Sequence, residues 1–251
     1  MSDLRDAFDK GYISKLPCYN SIFNYFENEA LTPYLNMMIE ESSLPLRTVE
    51  SAFAVDSSGF STCRFVQWVQ AKHHNPKLLE AREWIKVHLM CGVKTNVVTS
   101  VEITDSNAND CPQFEGLVKA TARNFVMNEV SADKAYLSSD NLQTVVDLNA
   151  MPYITFKSNS VTSEKHSAIW NRMFHFYSFN QKRFMESYHK RSNVETTFHM
   201  IKTKFGDRLR SKTRTAQINE ALCKVLAHNL CCLIQSIYEL GIEPTFWEDV
   251  A

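Results

Sequence analysis

Tyr188, Arg191, Glu195 and Lys202 are spaced Tyr-x2-Arg-x3-Glu-x6-Lys within one stretch of helix-favouring residues. Positions three, four and seven apart stack on one face of a helix, so Glu195 stands in a row of cations. Taken alone, the stretch reads more simply as a capping box, Ser192-x-x-Glu195. In that version Ser192 starts the helix, Glu195 folds back on it, and Arg191 and Lys202 are flanking surface charge. Two further acids bear on the choice. Asp56 ends the apolar run Ser51-Ala-Phe-Ala-Val before the turn formers Ser57-Ser58-Gly59, and Asp133 ends the run Glu129 to Ala132. Singly, each Asp is an ordinary strand-end turn residue. Together, two acids at strand ends and one on a late helix are what a two-metal phosphoryl-transfer site requires. Hard Mg2+ or Mn2+ takes oxygen ligands, and two ions about 3.5 to 4 Å apart stabilise both the attacking and the leaving oxygen.

The elements that must position these acids follow from the hydrophobic pattern. Residues 1–50 read as short helices between Pro17, Pro33 and Pro45, a helical appendage before the main domain at 51–251. Ser51 to Asp56, Trp84 to Met90 and Val97 to Thr104 read as three consecutive strands, the last two forming a hairpin around Gly92. Alternation then sets in: helix at Gln113 to Phe125, strand at Glu129 to Ala132, helix at Ser139 to Leu148, strand at Tyr153 to Phe156. Beyond that the chain is essentially helical, with a short helical insertion around 157–187 and a last helix from Asn219 to Leu240. The apolar stripe of that helix holds Leu222, Val225, Leu226, Leu230, Leu233, Ile234 and Ile237, which points to core packing. The fold class is α/β: a mixed sheet with helices on both faces. In such sheets chemistry gathers at the carboxyl ends of the parallel strands, where Asp56 and Asp133 fall.

Charge is uneven. The whole chain carries a formal net charge of −1. Yet residues 182–214 hold ten Lys and Arg against three acids, and residues 1–60 hold nine acids against four basic residues. A basic stripe around the Glu195 segment suits a phosphate backbone, and a solvated helical surface is the plainer alternative. The loop Asp207 to Arg214 after Gly206 belongs to this stripe. Trp170, Phe174, Phe176, Tyr177 and Phe179 fit helix packing better than base stacking, His88 reads as structural, and Asp105 and Asp110 read as turn residues. The seven cysteines (Cys18, Cys63, Cys91, Cys111, Cys223, Cys231 and Cys232) show no framework and read as free thiols. No continuous apolar run approaches the ~18 residues of a membrane span, and the N-terminus lacks a signal pattern, so a soluble, cytoplasmic protein is expected.

Ala54-Val-Asp56-Ser-Ser-Gly59-Phe, Ala132-Asp133-Lys-Ala-Tyr136 and the Tyr188, Arg191, Glu195, Lys202 series resemble the three acidic motifs of DDE transposases. The third resembles the Y-R-E-K signature of one group of insertion-sequence transposases, and the likeness spans roughly residues 50 to 240. It implies an RNase H-like fold, with Asp56, Asp133 and Glu195 as ligands of two Mg2+ (or Mn2+) ions. It further implies cleavage at transposon ends and strand transfer by transesterification, on double-stranded DNA, by a homodimer that is nucleoid-associated when bound. Tyr188, Arg191 and Lys202 are implied DNA contacts, joined by Lys204, Arg208, Arg210 and Lys212 of the basic stripe. The interval of 62 from Asp133 to Glu195 leaves no room for the large β-rich insertion of some relatives. Relatives also place a longer DNA-binding region before the first acid than the 55 residues found here, which implies an N-terminally truncated copy. A remnant that binds DNA without catalysis and a stand-alone nuclease of the same fold are the competing functions.

Overall fold

The structure, a computed structural model, describes residues 2–62, 84–163 and 167–246. Cys63 and part of the segment at 157–187 therefore lie outside the described residues. Three helices, α1 (Ser2–Asp9), α2 (Tyr19–Glu27) and α3 (Leu31–Ser43), precede the sheet. Strand β1 (Ala52–Ser61) pairs antiparallel with β2 (Trp84–Gly92), which pairs antiparallel with β3 (Val98–Asp105). On its other side β1 pairs parallel with β4 (Glu129–Ala132), and β4 with β5 (Met151–Ile154), so the order is β3-β2-β1-β4-β5. This is the mixed sheet expected from the sequence.

Side chains alternate across the sheet with period two, and the two faces build separate cores. Phe53, Val55 and Met90 pack under α4 (Gln113–Ala122) and α5 (Ser139–Asp147), using Phe114, Leu117, Leu142 and Val145. The same core takes Ile169 and Met173 of α6 (Ala168–Phe179) and Phe184 of α7 (Gln181–Tyr188), whose ring meets Tyr153 edge-on. Phe156 is ringed by Trp170, Phe174 and Tyr177, as packing predicts for those aromatics. On the opposite face Ala54, Phe60, Ile85 and Leu89 pack against Leu35 and Ile39 of α3. Val194, Phe198 and Ile201 of α8 (Ser192–Phe205) and Leu222 and Val225 of α9 (Arg214–Leu240) complete that layer.

Several boundaries differ from the sequence reading. Strand β1 does not stop at Asp56 but runs through Ser57-Ser58-Gly59, because β2 supplies partners at His88, Val87 and Lys86 and the cross-strand ladder overrides turn propensity. Gly59 is needed there, since a Cβ would lie 2.4 Å from the Trp84 indole. Strand β5 begins at Met151, and α9 begins at Arg214, where the Thr213 hydroxyl caps it by accepting from the Ala216 N–H. By length and mean hydropathy α9 also suits a membrane span, but its inward side is polar as well as apolar. Asn229 is fully buried and spans Val98, Ile39 and Ser42 by hydrogen bonds. Leu230 and Ile234, expected inside, are 47% and 56% exposed.

The β2–β3 turn is tied to the segment just before β1 by Glu50, which is only 2% exposed. Its carboxylate accepts from the Thr95 N–H at 2.6 Å, the Thr95 hydroxyl at 2.7 Å and the Lys94 N–H at 3.2 Å. A Cβ on Gly92 would fall 2.3 Å from Glu50 Cδ. Gly92→Ala is therefore expected to destabilise by about 1–3 kcal/mol, the usual cost of overpacking, and to lower Tm by several degrees. A thermal melt that leaves Tm unchanged would show that Glu50 can move aside.

Candidate active site

Sheet register places the first two acids. Val55 lies opposite Ala132 in the parallel ladder, so Asp56 and Asp133 come next on neighbouring strands, at the ladder's carboxyl end. Neighbouring strands run about 4.8 Å apart, which puts the two acids side by side. Alternation sends Asp56, like Ala54 and Phe60, to the face covered by α8. Asp133 also starts a short helical turn, accepting from the Lys134 N–H at 2.6 Å.

The third acid is joined to Asp56 through Arg191. The chain passes from α7 through a tight turn (His189–Arg191) into α8 with helical backbone throughout, at φ −53° for Arg191 and −57° for Ser192. Ser192 thus sits inside the helical run, its hydroxyl donating to the His189 carbonyl at 2.9 Å, and the capping box does not form. Arg191 Nη1 instead donates to Asp56 Oδ2 at 2.8 Å, and Nη2 donates to Glu195 Oε1 at 2.5 Å. Its guanidinium also lies 5.9 Å from the centre of the Tyr188 ring. Tyr188 and Glu195 of the spaced series thereby meet at Arg191, which carries them to Asp56. Lys202, two helical turns on, does not: its Nζ donates to Ser58 Oγ at 2.7 Å and sits over the Phe60 ring.

Electrostatics mark this as a place of strained negative charge. Burial raises the Asp56 carboxyl above the ordinary carboxylate range, and the charges of Asp133 and Glu195 add to the rise. The Ser57 N–H, donating at 2.8 Å, and Arg191 oppose it. Such a group favours a cation, and an all-oxygen donor set fits Mg2+ or Mn2+. Among the described residues no three His, Cys, Asp or Glu side chains gather tightly enough to enclose an ion, and Arg191 lies between Asp56 and Glu195.

The opposite face of β1 carries a network that the sequence reading dispersed. Asp110 Oδ1 accepts from Ser57 Oγ at 2.9 Å, pairs with Lys86 Nζ at 2.7 Å, and lies 3.4 Å from His88 Nδ1. Asp110 is thus an anchor for the strand beside Asp56 and not merely a turn residue. Burial pushes His88 down to about 4, so it is neutral at neutral pH, in keeping with a structural role. Strand alternation signals that Ser57 faces away from Asp56; its place opposite His88 is set by the β1–β2 register.

The basic stripe divides in two. Lys204 donates to Cys231 Sγ at 3.0 Å, and Arg214 pairs with Asp105 at 2.5 Å. Arg208, Arg210 and Lys212 are exposed on a loop docked to the end of β1, where the Ser61 N–H donates to the Asp207 carbonyl and the Leu209 N–H donates to that of Ser61. Leu209 is buried between the two arginines, so strand-like alternation turns both guanidinium groups outward.

A family model described as the transposase DDE domain matches residues 47–230, from just before β1 to well inside α9, and takes in Asp56, Asp133 and Glu195. Sheet order, helices on both faces and a match over most of the chain agree: this chain belongs to the family of transposase DDE domains and has its α/β, RNase H-like fold.

Proposed function

We propose that the protein cuts DNA at the ends of a transposable element and joins the freed 3′-hydroxyl to target DNA, with Asp56, Asp133 and Glu195 holding two Mg2+ or Mn2+ ions. One observation carries this reading: two acids directly after a matched pair on adjacent parallel strands, the first of them bridged through Arg191 to a carboxylate on α8. When bound, such ions activate a water or hydroxyl nucleophile and stabilise charge on the scissile phosphate. Asp56 and Asp133 are fixed by the sheet, and Glu195 approaches from the first turn of α8. Arg191 offers a planar two-pronged donor and Lys202 a point charge, both suited to phosphate oxygens, and Tyr188 backs the guanidinium. Arg208, Arg210 and Lys212 extend the positive surface along the duplex, with Lys204 at the end of α8. Paired element ends call for two such sites, hence a homodimer on double-stranded DNA, in the cytoplasm at the nucleoid.

The test is to incubate purified protein with DNA carrying the element's own ends and Mg2+ or Mn2+. Nicking and joining are expected, and Asp56→Ala should abolish both. Salt-dependent DNA binding with no cleavage in either metal would instead identify a DNA-binding remnant, and cleavage without joining a nuclease.

A further inference from the structure

We infer that Arg191 is the internal counter-ion of Asp56 and Glu195, that it competes with metal for their oxygens, and that DNA draws its guanidinium away. Metal loading and DNA binding are then coupled through one side chain. The inference rests on the reading of these acids as metal ligands. Arg191 uses two different nitrogens on two carboxylates, Nη1 on Asp56 Oδ2 and Nη2 on Glu195 Oε1. Those are oxygens that an ion between the acids would need, and a guanidinium beside a divalent cation is repelled by it.

Among the described residues no other cation takes this place. Lys190 is held by Glu129, and Lys202 is turned to Ser58 and the Phe60 ring. Among the described residues, Arg191 is the cation paired with Asp56 and Glu195. Its side chain is 19% exposed, whereas that of Glu195 is 56% exposed, so Glu195 is the arm free to swing once the bridge opens. A phosphodiester offers the guanidinium the same paired-oxygen geometry as the carboxylates. The exchange therefore leaves no charge unpaired: phosphate takes Arg191 as metal takes the acids. In the free protein the bridge competes with metal for these oxygens, which favours cleavage by a protein already on DNA.

Mn2+ titrated into DNA-free protein, with free ion followed by electron paramagnetic resonance, tests this directly. Arg191→Gln is expected to bind Mn2+ on the order of tenfold more tightly than the unaltered chain, because it removes one repelling charge and two charge-assisted hydrogen bonds. Arg191→Lys, a point charge that cannot bridge both acids, should fall between and keeps the test open if the Gln variant fails to fold. Coupling is reciprocal. Mn2+ should therefore tighten binding of a blunt DNA duplex, read by fluorescence anisotropy, in the unaltered chain and not in Arg191→Gln. Equal Mn2+ affinities in all three proteins would overturn the counter-ion role while leaving the metal site standing. Absence of Mn2+ binding in every protein, or binding that survives Asp56→Asn, would overturn the metal site itself.

Discussion

Asp133→Asn is expected to cut metal-dependent cleavage by at least about a thousandfold while leaving the metal-free protein as stable as before or more so. A thousandfold is what the loss of about 4 kcal/mol of transition-state stabilisation means, a modest demand on a residue proposed to hold metal. The stability side comes from the structure. Asparagine keeps the oxygen that accepts from the Lys134 N–H, so the short turn after β4 survives. It removes a negative charge that helps to raise the Asp56 carboxyl. The sign is clear. A carboxyl raised in the folded state binds its proton more tightly there than in the unfolded chain, so stability falls as pH rises from the unfolded value near 3.8 through the raised one. Weakening the repulsion on Asp56 therefore relieves the folded protein at neutral pH. Cleavage assays and thermal melts in EDTA check the two halves separately. A Tm several degrees below that of the unaltered chain would mean that Asp133 is a structural residue and that the lost activity says nothing about metal.

The parts of this site that were legible in the sequence are those that repeat a local rule. Val55-Asp56 and Ala132-Asp133 each close a short apolar run, and both strands exist with the two acids level. What the sequence could not display is partnership across distance. Ser57-Ser58-Gly59 has the composition of a turn, yet β2 and the Trp84 ring make it strand. Ser192 and Glu195 have the spacing of a capping box, yet the preceding turn is already helical and Arg191 claims the carboxylate. Along α9, apolarity alone placed Leu230 and Ile234 inside, whereas the buried side is fixed by Asn229 and His228, which hydrogen-bond to the β2–β3 hairpin. A polar residue goes inward only when its partners are there, and those partners lie over a hundred residues away in the chain.

The same distinction between held and free charge decides what the basic loop should do. Lys224 looks like one more cation of the surface, yet its Nζ donates to the Gly206 and Arg208 carbonyls and lies over Phe60. Glu220 accepts from the backbone N–H groups of Arg210 and Ser211. These two residues fix the path of the loop, and Gly206, with φ of 85°, lets the chain turn into it from α8. With the backbone held in this way, the side chains of Arg208, Arg210 and Lys212 are left to solvent. If the loop follows a DNA backbone, each of the three neutralises about one phosphate. Replacing all three with Gln should flatten the slope of log affinity against log salt by about 2.7, at roughly 0.9 per phosphate. At low salt the affinity for duplex DNA should fall by about a hundredfold or more, with Tm unchanged because none of the three is needed to hold the loop. Fluorescence anisotropy across a salt series reads both quantities. An unaltered slope would remove the loop from the DNA path, and a fall in affinity with the slope preserved would mean that the substitutions act through the fold and not through phosphate contact.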